Sequence, residues 1–168
     1  MDWHDYKEEF LEIVYDNIER EGCEALIEWL EKSDFFTAPA SMRRHNVFEG
    51  GLCKHSINVY KRFLKLVQAE YGKEWERQIS HESVAIIGLF HDLCKVDFYK
   101  TDVKNVKRDG VWVQEPYYKM DEALPYGHGE KSVYILSAFM RLTREEALAI
   151  NWHMGEYDPR VKGGNTYS

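Results

Sequence analysis

Apolar residues recur at three- and four-residue intervals through the first segment of the chain, at Tyr6, Phe10, Ile13, Val14 and Ile18, which predicts one helical stripe over residues 4–21. Gly22 interrupts the stripe, and Leu26, Ile27, Trp29 and Leu30 then predict a short helix over 24–31. Pro39 disfavours helix in the residue before it, so 33–39 read as a loop. After Gly50-Gly51, the positions Leu52, Ile57, Val59, Tyr60, Phe63, Leu64 and Val67 predict a long helix that stops near Tyr71-Gly72. A further helix is expected from His81 to Cys94. Its apolar residues are nearly continuous, which predicts the central and most buried element.

The pattern changes over residues 97–120. Short β-prone runs, Asp97 to Val103 and Val111 to Gln114, flank Asp109-Gly110, a turn signal that predicts a small β-hairpin. Val133, Ile135, Leu136, Phe139 and Met140 then predict a helix over 130–140. Thr143 and Glu146 stand at capping-box spacing before a helix expected to reach Trp152-His153. Residues 155–168 read as irregular, and no internal repeat is visible. The expected fold is therefore all-α with a small β-hairpin insertion. At 168 residues the chain suits a single domain over 1–168: a helical hairpin (1–38), a core (39–156) and an irregular tail (157–168).

Composition narrows the function. With 44% hydrophobic and 30% charged residues the chain is ordinary globular material. A net charge of -7 weighs against tight nonspecific binding to duplex nucleic acid. The three cysteines, Cys23, Cys53 and Cys94, are odd in number and widely spaced, which suits reduced thiols in a cytoplasmic protein. No leader-like or membrane-spanning run occurs, so no membrane partner is expected. Oligomeric state is left open.

The dipeptide His91-Asp92 closes the apolar run Ala85 to Phe90. Ionisable groups entering a core need partners, and buried charges are usually paired or bound to metal. His55, His128 and His153 are each expected on a different helix, the way metal sites inside helical folds are assembled. A lone histidine on an apolar face is more often a hydrogen-bonded core residue than a ligand, and His4 and His81 sit in polar surroundings expected at the surface. The set as a whole favours a divalent metal site. Imidazole with carboxylate suits manganese, iron, cobalt or zinc; magnesium prefers an all-oxygen shell.

The succession His55, His91-Asp92, His128, His153, with the strings Gly50-Gly51-Leu52-Cys53-Lys54-His55-Ser56 and His91-Asp92-Leu93-Cys94-Lys95, resembles the HD superfamily of metal-dependent phosphohydrolases. The nearest likeness is to the HD domain of YhaM-type 3′-5′ exoribonucleases, over about residues 36 to 156. The resemblance implies an HD helical fold in which His55, His91 and Asp92 hold a first metal, while Asp92 extends to a second held by His128 and His153. It also implies a catalytic, water-orienting or phosphate-contacting role for Lys95, with a solvated surface lysine as the other reading, and places His45 at the rim as a substrate or acid-base group. Arg43 and Arg44 precede the His55 helix, where they either hold phosphate or form a solvated basic loop.

Two departures qualify the likeness. HD proteins commonly add an aspartate ligand after the late histidine; here the nearest substitute is Asp158, with water or a shortened chain as the other readings. Nothing resembles the nucleic-acid-binding OB domain of the exoribonucleases. Lys100, Lys104, Lys107 and Arg108 with Tyr99 and Trp112 on the hairpin either flank a nucleotide or form a solvated ribbon. The expected function is hydrolysis of a nucleotide or other phosphate ester by metal-activated water. The alternatives are a non-catalytic metal- or nucleotide-binding module, and a 3′-5′ nuclease on single-stranded nucleic acid.

Overall fold

Asp2 opens the chain as an N-cap: its carboxylate accepts from the backbone of His4 and Asp5, and α1 runs Trp3–Asn17. The structure is a computed structural model and describes residues 2–42 and 46–162. Gly22 then starts α2, Cys23–Lys32, and α3 spans Gly51–Tyr71. Ser80 caps α4, His81–Phe90. The strands β1 (Tyr99–Arg108) and β2 (Val111–Met120) follow, then α5 (His128–Ser137), α6 (Arg144–Asn151) and a single turn, α7 (Pro159–Lys162).

The all-α expectation is overturned. Two ten-residue strands pair in one antiparallel sheet, so the fold is mixed, mainly helical with a substantial β-ribbon. The turn itself is where Asp109-Gly110 put it, both residues at positive φ. The strands run longer than expected because the ribbon satisfies its own backbone through the ladder while most of its side chains stay exposed. No alternation of buried and exposed positions marks its ends.

One apolar cluster reaches from Tyr6 to Ile150. At its centre Phe10 makes edge-on contacts with Phe35, Phe36 and Phe90, ring centroids 5.0, 5.6 and 5.9 Å away. Phe35 and Phe36 are thus core residues within a stretch that reads as loop. Phe90 anchors the residue directly before His91. Helix α4 is buried almost all round, as its continuous apolar run predicts. It stops at Phe90, however, and not at Cys94; Asp92 leaves helical geometry (φ -106, ψ 22) and Leu93–Lys95 form a 3-10 turn.

Gly88 sets how closely α3 and α4 approach. A Cβ there would lie 2.5 Å from the Tyr60 Cα and 3.0 Å from its backbone nitrogen, and backbone cannot move aside. Gly88→Ala is therefore expected to lower stability by about 1–3 kcal/mol despite the better helix propensity of alanine. Thermal unfolding checks this, and an unchanged or raised Tm would contradict the packing described.

A second anchor is polar. The Arg20 guanidinium, beyond the end of α1, donates to both oxygens of Glu146 (2.6 and 3.0 Å) and to Glu82 Oε2 (2.7 Å). Glu146 also accepts from Ser83 Oγ and, as the capping-box partner of Thr143, from the Thr143 backbone nitrogen. The network ties the starts of α4 and α6 to the end of α1.

Candidate metal centre

His91 follows α4 directly, and its Nδ1 lies 2.9 Å from the Gly88 carbonyl. His153, after α6, repeats the device with Nδ1 2.7 Å from the Ile150 carbonyl. A carbonyl only accepts, so Nδ1 donates in each ring and a neutral ring turns an Nε2 lone pair inward. This is how protein scaffolds orient histidines for metal.

Asp92 lies between these nitrogens, 3% exposed. Its Oδ2 is 3.2 Å from His55 Nε2, 3.4 Å from His91 Nε2 and 2.7 Å from Lys95 Nζ. Its Oδ1 is 3.5 Å from His153 Nε2. His55 reaches the cluster from the first turns of α3, and its Nε2 is 3.2 Å from His91 Nε2. Burial alone would raise the Asp92 carboxyl, but the His91, His153 and His55 rings around it hold it well below the usual carboxylate range. The carboxylate in turn raises His153 and Lys95 against the effect of burial. Asp92 is thus an anion at neutral pH.

The donor set fits a divalent cation. His153 Nε2 is buried, and its contact with Asp92 Oδ1, at 3.5 Å, is too long for a good hydrogen bond. Among the described residues two groups could hold a metal ion: His55, His91 and Asp92, and Asp92, Cys94 and His128. His128 enters from the first position of α5, with Nδ1 3.0 Å from Cys94 Sγ. Burial pushes the Cys94 thiol up to about 12 and the His128 imidazole down. A cleft of about 700 Å³ opens onto the cluster, lined among others by Arg62, Lys95 and half-buried Tyr99.

Of the five residues expected as ligands, His55, His91, Asp92 and His128 fall in these groups, while His153 belongs to neither and stands beside Asp92 at 3.5 Å; Lys95 reaches the cluster through Asp92 itself. Asp158 does not join either metal-holding group among the described residues. Its carboxylate is buried and occupied by Arg160, which donates from its backbone nitrogen, Nε and Nη2 at 2.6–2.9 Å. Arg43, Arg44 and His45 lie outside the described residues. On the hairpin, Arg108 pairs with Glu115 and Lys100 with Asp121, while Lys104 and Lys107 lie over Tyr117 and Trp112. Of that set Tyr99 alone lines the cleft. Cys94 was legible only as a reduced thiol; its position two residues after Asp92 was the available signal for more.

Among the described residues no helix is long and apolar enough to cross a membrane. No protein-family model, no curated protein and no solved structure matches this chain.

Proposed function

We propose that this chain is a metal-dependent phosphohydrolase of HD type acting on a nucleotide or another phosphate ester. The observation that carries the reading is the buried Asp92 carboxylate with three imidazole Nε2 atoms within 3.5 Å of its oxygens, at the floor of an open cleft. His55, His91 and Asp92 would hold one divalent cation, and Asp92 would contribute to a second position. Such a cation supplies Lewis acidity, which makes water more acidic and neutralises phosphate charge. Lys95 and Arg62 add fixed positive charge on the cleft wall, where they orient an anionic substrate. The cleft volume lies within the roughly 300–1,000 Å³ of small-molecule sites, enough for a nucleotide. Hydrolysis there adds water across the phosphoester bond: the water oxygen joins phosphorus, and the ester oxygen leaves with the bonding electrons and takes a proton. Three buried free cysteines support a reducing, cytoplasmic setting.

A second reading is a metal- or nucleotide-binding module without turnover. The commitment of Asp158 to Arg160 favours it, since that carboxylate is not available to complete a coordination sphere. Elemental analysis of protein purified without added metal, followed by a manganese-supplemented phosphate-release screen across nucleotides, separates the two. Stoichiometric metal with phosphate release is expected. Metal without release on any nucleotide or on p-nitrophenyl phosphate would favour the module. Shortening of single-stranded oligonucleotides from the 3′ end in a parallel assay would move the substrate to nucleic acid.

A further inference from the structure

We infer that Cys94 is a sulfur ligand of a second metal position, which makes the two halves of the centre chemically unequal. The inference rests on the reading that Asp92 binds a cation, and it adds the class of metal that the second position takes.

The Asp92 carboxylate divides the cluster. Its Oδ2 faces His55, His91 and Lys95, whereas its Oδ1 faces His153 and lies 3.9 Å from Cys94 Sγ. On the Oδ1 side, Cys94 Sγ is 3.0 Å from His128 Nδ1. Carboxylate oxygen, thiol sulfur and imidazole nitrogen therefore converge on one point while the first set offers only nitrogen and oxygen.

The other cysteines are placed differently. Cys53 donates to the Tyr6 carbonyl among core residues, and Cys23, the first residue of α2, lies in the apolar cluster. Cys94 is equally buried, at 2% exposure, yet its sulfur meets an imidazole and a carboxylate. Its backbone is pinned as well: Cys94 N donates to Ser132 Oγ at 3.1 Å. Ser132 stands four residues after His128 on α5, so one helix face supplies the imidazole and fixes the register of the thiol. Beyond the pair lies a small cavity of about 80 Å³, lined by Cys94, Phe98, Glu122, Tyr126, His128 and Lys131. Glu122 is occupied there by Lys131, and the space is sufficient for water to act as a further ligand.

A sulfur ligand sets metal preference. Thiolate favours soft or borderline cations such as zinc and cobalt over magnesium or manganese, and a coordinated thiol gives up its proton to solvent. The Oδ2 position, without sulfur, accepts the harder ions.

Cobalt(II) titration followed by absorption spectroscopy tests this. Wild-type protein is expected to show both cobalt ligand-field bands and a thiolate-to-cobalt charge-transfer band in the near ultraviolet. Cys94→Ser should lose the charge-transfer band and one cobalt equivalent while keeping ligand-field absorption from the Oδ2 position; Cys23→Ser should keep everything. Zinc should bleach the charge-transfer band where excess magnesium does not. His128→Asn supplies a second variant should Cys94→Ser fail to fold, with a shifted or weakened band expected. Ligand-field bands without charge transfer in the wild type would overturn the sulfur ligand and leave the Asp92 centre standing. A charge-transfer band unchanged by Cys94→Ser would also overturn it. No cobalt binding at all would remove the metal reading and this inference together.

Discussion

Asp92→Ala is expected to leave the protein without bound metal and to reduce phosphate release to background. The reason is geometric: one carboxylate stands within 3.5 Å of three imidazole nitrogens and within 2.7 Å of Lys95 Nζ. Removing it takes away the anion that both oxygen-facing sets share. Loss of a hydrogen-bond partner behind a metal ligand costs roughly 10–100-fold in affinity, and loss of the central ligand should exceed that. Asp92→Asn, nearly the same shape without charge, separates electrostatics from packing. It should keep a near-native Tm and still lose the metal. Elemental analysis and the phosphate-release assay read both variants, and stoichiometric metal retained by Asp92→Ala would show the assignment to be wrong.

Arg20→Ala is expected to give the largest loss of stability, about 3–5 kcal/mol, because it leaves Glu146 charged and buried at 1% exposure with its bidentate partner gone. For a chain of this size that corresponds to a Tm lower by on the order of 10 °C. Glu82→Ala removes only the more exposed arm of the network and should cost about 1 kcal/mol or less. A comparable loss in both variants would contradict the weight placed on Glu146. The same network has a pH signature. Against burial, Arg20 and the Thr143 and Ser83 donors hold the Glu146 carboxyl below its ordinary 4.5. A carboxyl lowered on folding contributes stability that is fully present above its unfolded value and is lost as pH falls through the folded one. Wild-type stability should therefore drop as pH falls below about 4.5, and Arg20→Ala should flatten that dependence.

Much of the local structure was legible because it is encoded locally. Thr143 and Glu146 read as a capping box and form one, Gly22 and Gly72 stand where helices change, and Asp109-Gly110 turns the hairpin. What escaped was set at long range. Glu146 reads as a cap, yet its grip on Arg20 joins residues 126 apart in sequence. The stretch His81 to Cys94 reads as one helix, but α4 ends at Phe90, where the pair that follows turns toward histidines from α3 and the end of α6. The ribbon misled for the opposite reason: it packs so little that no burial pattern recorded its length.

At the candidate site the histidines could be chosen by setting alone, since polar neighbours separated His4 and His81 from His55, His91, His128 and His153. Their convergence on the two oxygens of Asp92 could not be read that way, because it depends on how α3, α4, α5 and α6 pack. Gly88 against Tyr60 fixes one of those packings. Asp158 shows the limit from the other side: its type and position suited a ligand, and Arg160, two residues on, binds it instead.

The most direct test of the Asp92-centred metal site is an anomalous-difference map from crystals grown with manganese. A peak is expected in coordinating position between Asp92 Oδ2, His55 Nε2 and His91 Nε2, absent from Asp92→Asn crystals. A map without that peak, or with manganese bound only elsewhere on the protein, would contradict that site.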